Sequence, residues 1–281
     1  MFRSYDNVPR PAMSLDEIRK VAPSVFATEP HNAVSQEYKF IPTIEIMQTL
    51  MGQGWLPVQA GEHRVRNASK LGYQKHLLRF RHPNIPKIGD SEVDLLCYNS
   101  HDRTSAFKFL AGLYRFVCAN GMACGEDLFE PIAVKHIGYK ADNCIDAAYR
   151  IVENVPLIAS SVEAMRSIDL DTHERVAFAS AALVAKYGKD DGGRVLSPIA
   201  PDQMLKSRRR EDIGTDLWTT FNVVQENAIR GGQLTYRQDI HGRVRRTSAR
   251  KVESISQSTK LNQALWTLAE QMKAHKLGSA A

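Results

Sequence analysis

The spacing of apolar residues changes near residue 140, and this change constrains the fold of the chain more than any other feature. Upstream, the pattern is that of β-strands, whereas downstream the apolar residues recur at helical spacing. Strands followed by helices are typical of an α+β protein. The sequence therefore predicts a β-rich α+β core with an N-terminal arm over residues 1–140 and a helical region over residues 141–281, and the two could also form one continuous domain.

The first region carries helix signals and then strand signals. Ser14 and Glu17 have the spacing of a capping box, and Pro42 and Gly52 mark the ends of a second helix. Strands are predicted over Trp55–Arg66, Tyr73–Arg81, Val93–Tyr98 and Ile132–Ile137. The segment Ala106–Cys118 could form a strand or a helix, and its apolar residues at i, i+3, i+4 and i+7 favour a helix.

The second region is predicted to be mainly helical. The helices are expected over Asp142–Val155, Ala159–Ile168, Thr172–Tyr187, Asp212–Arg230 and Asn262–His275. Gly192–Gln203 is predicted to be a loop because it contains Pro198 and Pro201. Within a basic segment over residues 230–251, Arg237–Lys251 is polar and is predicted to be an irregular arm.

Composition excludes several classes of protein. The 281 residues, 43% of them apolar and 24% charged, are typical of a soluble globular protein, and no run of eighteen apolar residues could span a membrane. The N-terminus lacks the apolar stretch of a signal peptide, so we expect a cytoplasmic protein. Two of the four cysteines, Cys97 and Cys118, are predicted to be buried thiols, and no pair has zinc-knuckle spacing. Since phosphate-binding glycine loops are also absent, we expect no metal and no cofactor.

The charge of the chain points to an anionic partner. The net charge is +6, and the window His63–Gly89 contains seven Lys or Arg residues and no acid. A strand over Gly72–Arg81 would place five residues of this window on one face, because side chains alternate along a strand. These residues are Tyr73, Lys75, Leu77, Arg79 and Arg81, and Arg64 and Arg66 share a face by the same parity.

Two further basic clusters follow in the second region. One consists of Arg208, Arg209 and Arg210, and the other consists of Arg243, Arg245, Arg246, Arg250 and Lys251. Such residues neutralise phosphates, and aromatic side chains such as Tyr73, Phe80 or Tyr236 could stack on bases. The alternative is that these clusters are solvated faces, and that Glu211 and Asp212 form a local ion-pair network with the adjacent arginines.

His101 and Asp102 are the weak candidates for catalysis. Adjacent His and Asp residues bind the metal in some metal-dependent phosphohydrolases, but a dipeptide has a high rate of chance occurrence. The alternative is that Asp102 or Asn99 caps a turn through its side chain.

Several segments together carry a resemblance to a known family. They are Phe40–Glu45, Leu71–Arg81, Asn99–Asp102, Tyr114–Gly121, Arg209–Asp212, Asp216–Thr219, Val224–Asn227 and Leu261–Trp266. The chain resembles the domain of unknown function 932 family of phage- and plasmid-encoded proteins, which implies a role on mobile genetic elements. The order of elements over Met47–Arg81 is also similar to that of Rad52-like single-strand annealing proteins, a similarity that implies a DNA-recombination role and homo-oligomeric rings.

Three functions are compatible with these features. We expect a non-enzymatic nucleic-acid-binding protein of a mobile genetic element that binds, protects or anneals single-stranded DNA. The first alternative is a protein that antagonises a host defence or nuclease system by direct contact. The second is a metal-dependent nuclease or phosphohydrolase that uses His101 and Asp102.

Overall fold

A computed structural model describes most of the chain. The described residues are 11–34, 38, 40–115, 121–123, 132–133, 146, 148–150, 152–238 and 242–278. They form two compact units, one reaching as far as Pro156 and the other starting at Leu157. An antiparallel sheet dominates the first unit and helices dominate the second, so the predicted α+β class is confirmed.

Two helices open the first unit. Helix α1 covers Leu15–Val21, a 3₁₀ turn covers Pro23–Phe26, and helix α2 covers Thr43–Gly52. The predicted capping box is present, because the Ser14 hydroxyl accepts a hydrogen bond from the Glu17 amide and the Glu17 carboxylate accepts one from the Ser14 amide at 2.8 Å. Ile46, Met47 and Leu50 of α2 are buried, as their helical spacing predicts.

The sheet of the first unit is antiparallel throughout. Its strands lie in the order β1-β2-β3-β4-β5, and β6 pairs with the other end of β4. Strand β3 is buried along its whole length. The strands are β1 (Leu56–Glu62), β2 (His76–Arg81), β3 (Ser91–Asn99), β4 (Lys108–Arg115), β5 (Gly121–Ala123) and β6 (Ile132–Ala133).

The helix predicted for Ala106–Cys118 is wrong, because its described part contains strand β4. Strand β4 pairs with β3 from Ser91 opposite Arg115 to Tyr98 opposite Lys108. Phe109–Leu113 is buried without interruption, so no alternation of polar and apolar residues marks it as a strand. A short apolar run of this kind cannot be assigned by its period alone.

All four predicted strands have different ends in the structure, and β3 extends the predicted Val93–Tyr98 to Ser91–Asn99. Strand β1 ends at Glu62 instead of Arg66, and β2 begins at His76 instead of Tyr73, because a 3₁₀ turn and a tight turn lie between them. Strand β6 contains the first two residues of the predicted strand Ile132–Ile137, and the rest of that prediction lies outside the described residues.

The second unit is built from five helices within its described residues. An aromatic cluster forms its core, in which Trp218 stacks on Phe221 and both contact Trp266. The helices are α3 (Val155–Arg166), α4 (Thr172–Tyr187), α5 (Pro201–Met204), α6 (Leu217–Arg230) and α7 (Ile255–Gly278).

Most predicted helices of the second region are present with shifted ends. Helix α4 has the predicted bounds, which a capping box at Asp171 and Glu174 and the terminal Gly188 define. Helix α6 starts at Leu217 instead of Asp212 because Asp216 caps it. The short helix α5 ends the predicted loop Gly192–Gln203. Of the predicted helix Asp142–Val155, the described residues 146, 148–150 and 152–153 are helical.

The irregular arm predicted over Arg237–Lys251 is wrong, because the segment folds as a hairpin. Strands β7 (Leu234–Gln238) and β8 (Val244–Ser248) pair antiparallel as a separate two-stranded sheet, which we call the ribbon. Every residue of β8 is exposed. Leu234 and Tyr236 of β7 are exposed as well, so the sequence contains no run of buried apolar residues that would reveal the ribbon.

None of the helices in the described ranges combines the length and the hydropathy that spanning a lipid bilayer requires. Cys97 is buried in β3 as predicted and takes part in no disulfide. Cys118, the other predicted buried thiol, lies outside the described residues.

Candidate nucleic-acid interface

Two arginines of the first basic window form ion pairs inside the sheet. The Arg79 guanidinium lies 3.0 Å from the Asp94 carboxylate, and the Arg81 guanidinium binds the same carboxylate at 2.9 and 3.1 Å. Arg81 also pairs with Glu92. The sequence placed Arg79 and Arg81 on one face of a strand, and β3 places two acids on that same face.

Burial and ion pairing have opposite effects on the pKa values of this cluster. Asp94 is completely buried, and desolvation raises its pKa in spite of the two arginines. Burial alone would lower the pKa of Arg81, but the hydrogen bonds and charges of Asp94 and Glu92 raise it above its ordinary value. The charges of the two arginines and the two acids compensate each other, and their ion pairs hold β2 to β3.

The other predicted members of this window lie outside the strand. Tyr73 and Lys75 precede β2, so the predicted face does not include them. The Tyr73 ring is half-buried against His31, with ring centres 5.2 Å apart. Arg64 and Arg66 are exposed after the end of β1, where the parity of a strand no longer applies. Phe80 is fully buried and cannot reach a base.

The second basic cluster surrounds a buried carboxylate of helix α6. Glu226 is 2% exposed and pairs with Arg209 and, at 2.6 Å, with Arg230. Arg209 also lies 3.2 Å from Asp212, as the predicted local ion-pair network requires. Arg210 is exposed in a 3₁₀ turn.

Arg208 links this cluster to the base of the ribbon. Its guanidinium donates to the Asn227 side chain at 2.8 Å and to the Gly231 carbonyl at 2.5 Å. Burial lowers the pKa of Arg208 below its ordinary value. The Asn227 amide in turn donates to the Met204 and Lys206 carbonyls, both at 2.9 Å. These bonds fix the chain segments on both sides of α6.

Both ends of the ribbon are held at one place, which we call the ribbon root (residues 231–233 and 249–250). The Gly232 amide donates to the Ala249 carbonyl at 2.8 Å, and the Ala249 amide donates to the Gln233 carbonyl at 2.9 Å. Lys186 donates to the Arg250 carbonyl at 2.9 Å, and burial lowers the pKa of Lys186 to about 8. The ribbon is therefore an extension with a fixed base.

The ribbon displays the third basic cluster. All of its predicted members, Arg243, Arg245, Arg246, Arg250 and Lys251, are exposed. Tyr236 is 71% exposed and lies opposite Arg246 in the register of the two strands. The adjacent pair places Arg237 opposite Arg245. The structure thus brings an exposed aromatic residue and several arginines together on one element, an arrangement that pairing of β7 with β8 creates.

The side chains of His101 and Asp102 lie in different environments. His101 is fully buried, and its Nε2 lies 3.4 Å from the Thr43 hydroxyl. Asp102 accepts hydrogen bonds from the amide and hydroxyl of Thr104 and pairs with Lys70 at 3.1 Å, as expected for a residue that caps a turn. Burial alone would raise the pKa of Asp102, but these contacts lower it. Among the residues with described positions, no three His, Cys, Asp or Glu side chains are grouped to hold a metal ion.

Thr43 is the centre of a buried polar network around His76. His76 Nδ1 lies 3.1 Å from the Gln74 carbonyl and 3.0 Å from the Ser24 hydroxyl, and because the carbonyl can only accept, the tautomer with the proton on Nδ1 satisfies it. Nε2 of His76 then accepts from the Thr43 hydroxyl at 2.8 Å, and the Thr43 oxygen accepts from Asn99 at 2.9 Å. Burial, aided by the neighbouring His101, lowers the pKa of His76 to about 3. The neutral imidazole ties α2 to β2 and β3.

Comparison with known proteins identifies the family. The family described as "Domain of unknown function (DUF932)" matches residues 30–266. The chain belongs to the DUF932 family. Two curated relatives, UPF0380 protein YfjQ and UPF0380 protein YafZ of Escherichia coli (strain K12), are each 36% identical over 258 residues, which are 92% of this chain and 90% of the relative. No solved structure matches the DUF932 chain, and none of these comparisons shows the looser similarity to Rad52-like proteins.

The segments that carry the DUF932 resemblance meet in two buried networks. Thr43, His76 and Asn99 come from three of these segments and form the network of the first unit. Arg209 and Glu226 come from two others and form the network next to the ribbon root, where Gln225 also donates to Asn262 of α7 at 2.8 Å. Sequence reasoning did not predict the contacts of Glu226 with Arg209 or of Asn227 with Met204 and Lys206, because these partners lie 17 to 23 residues away along the chain.

Proposed function

We propose that the protein is a non-enzymatic, cytoplasmic nucleic-acid-binding protein and that the ribbon is its contact surface. The observation that carries this proposal is the exposure of the ribbon arginines on an element with a fixed base. Lys and Arg side chains that neutralise phosphates supply most of the affinity of sequence-independent nucleic-acid binding. The net charge of +6 favours the same class of ligand.

The three basic clusters contribute unequally to this function. Arg79, Arg81 and Arg209 are held by buried acids, so we assign them to the fold. Binding then depends on the ribbon cluster, while the exposed Arg64, Arg66 and Arg210 and the half-buried Lys75 are secondary contacts. The setting that we propose is the protection or annealing of DNA during transfer or replication of a mobile genetic element, by a chain that could act as a homo-oligomer.

A charge-removal experiment tests this proposal. The variant R243Q/R245Q/R246Q removes three charges from the ribbon, and the control K189Q/R194Q/K260Q removes three exposed charges elsewhere in the second unit. Fluorescence anisotropy with labelled oligonucleotides at several salt concentrations gives the affinity and its salt dependence. Each lost phosphate contact should reduce the slope of log K against log salt by about 0.7 for a single strand.

We expect the ribbon variant to reduce that slope by roughly 2 and to weaken binding at least tenfold at low salt. The control variant should change the affinity less than about threefold, because its charges lie outside the contact surface. Equal losses in the two variants would show that overall charge, and not the ribbon, is responsible. A wild-type protein that binds no nucleic acid at low salt would refute the proposal.

A further inference from the structure

The ribbon has one chemically distinctive face. In the register of the two strands, Tyr236 lies opposite Arg246, and Leu234 and Val244 lie two residues away along their respective strands, on the same face. The exposed fractions of the three apolar or aromatic residues are 51% for Leu234, 71% for Tyr236 and 66% for Val244. This face thus leaves an aromatic ring and two aliphatic side chains in solvent around one arginine.

Exposed apolar residues grouped in this way mark an interaction surface rather than a packed core. The same face of a second copy is an unfavourable occupant, because it would bring the positively charged ribbons of two chains against each other. A ligand that combines negative charge with apolar surface complements both the arginine and the apolar side chains of this face. Unpaired nucleotides have this chemistry, since each combines a phosphate charge with an aromatic base whose face is available.

A duplex would not use this face well. In double-stranded nucleic acid the base faces are covered by their neighbours, and the grooves present polar base edges and phosphates. A tyrosine that is exposed for stacking has no partner there, and two aliphatic side chains would be placed against polar edges. In single strands every base offers a stacking surface, and a flexible backbone can follow a positively charged element.

We infer that the Tyr236 face of the ribbon selects unpaired strands over duplexes, with Tyr236 stacking on a base and Arg246 binding the adjoining phosphate. This inference rests on the proposed function, since it names the ligand class of the same surface. The face contacts bases and phosphates, which DNA and RNA share, so single strands of both kinds are ligands.

The test compares matched substitutions on single strands and duplexes. Y236L removes the ring and keeps an apolar side chain at an exposed position, so the fold should be retained, and circular dichroism checks this. The control Y149L makes the same substitution at an exposed tyrosine of the first unit. The probes are an oligothymidylate, an oligouridylate and a DNA duplex of equal length, each measured by anisotropy at the same salt concentration.

We expect Y236L to weaken binding of both single strands roughly tenfold, the loss typical of one base-stacking contact, and to change duplex binding less than about twofold. Y149L should change none of the three affinities by more than that. An equal effect of Y236L on single strands and duplexes, or no effect on either, would overturn the inference while leaving ribbon binding intact. Failure of the wild-type protein to bind any probe would instead refute the proposed function and this inference with it.

Discussion

Asp94 is a carboxylate without access to solvent, and two arginines compensate its charge. Removing one partner of a buried ion pair is costly because the remaining charge is left desolvated. We expect D94N to lower the free energy of unfolding by about 3 kcal/mol, because Arg79 and Arg81 would lose the negatively charged carboxylate with which both of them pair. Urea denaturation measures this difference. The exposed Glu29 provides the control E29Q, and equal stability of the two variants would contradict the structural role of Asp94.

His76 gives the stability of the first unit a defined dependence on pH. Its pKa is lowered to about 3 in the folded protein from the ordinary 6.5, so the unfolded chain binds a proton between these values and the folded chain does not. Stability should therefore fall as the pH drops below 6.5, by up to about 1.4 kcal/mol per pH unit.

Chemical denaturation of wild type and H76N between pH 7 and pH 4 measures this effect. The variant loses stability at all pH values, because the hydrogen bonds to Thr43 and Gln74 are disrupted. Its stability should, however, fall less steeply with decreasing pH than that of the wild type. Parallel curves for the two proteins would show that His76 does not titrate as its burial requires.

At the scale of elements, the ribbon root depends on a close approach of two backbone segments at Gly231. Its φ is +60°, and a Cβ atom there would lie 2.5 Å from the Ala249 carbonyl oxygen. Gly232 also has a positive φ, of +88°, but a Cβ atom there would meet nothing within 4 Å. Alanine substitutions at the two positions therefore separate the cost of a positive φ from the cost of the clash with Ala249.

We expect G232A to destabilise the second unit by about 1 kcal/mol, the cost of a left-handed conformation for a residue with a Cβ atom. G231A should cost at least a further ~1 kcal/mol, because the ribbon must move away from α6 or distort its base. Thermal denaturation compares the two variants. Faster amide exchange in β7 and β8 of G231A would locate the effect in the ribbon, and equal stability of both variants would contradict the close packing of the root.

Local signals account for the elements that the sequence predicted well. The capping boxes at Ser14 and Asp171 and the terminal Gly188 are defined by residues within one turn, so helix α4 could be predicted with its bounds. Strand β4 could not be predicted, because Phe109–Leu113 is buried on both faces and the spacing of its apolar residues also fits a helix. The ribbon could not be predicted either, since its strand β8 is exposed throughout and has no buried face that would impose an apolar period.

The candidate site was only partly predictable for a related reason. Sequence alone identified the basic clusters and the neighbouring acid Asp212, but not the more distant partners Asp94 and Glu226. Asp94 reaches Arg79 and Arg81 through the pairing of β2 with β3, and Glu226 of helix α6 reaches Arg209, which lies in the loop just before a 3₁₀ turn. Which arginines stay exposed therefore depends on tertiary contacts, and the structure leaves the ribbon cluster in solvent.

At the scale of the whole molecule, the central claim is that nucleic acid contacts this chain at the ribbon. Photo-cross-linking to a single strand that contains 4-thiothymidine tests this location most directly. Trypsin cleaves after Arg230 and Arg237, so the peptide of residues 231–237 contains Tyr236 as its sole aromatic residue. We predict that mass spectrometry finds the dominant cross-link on this peptide and that Y236L abolishes it. Cross-links confined to the first unit would contradict the account.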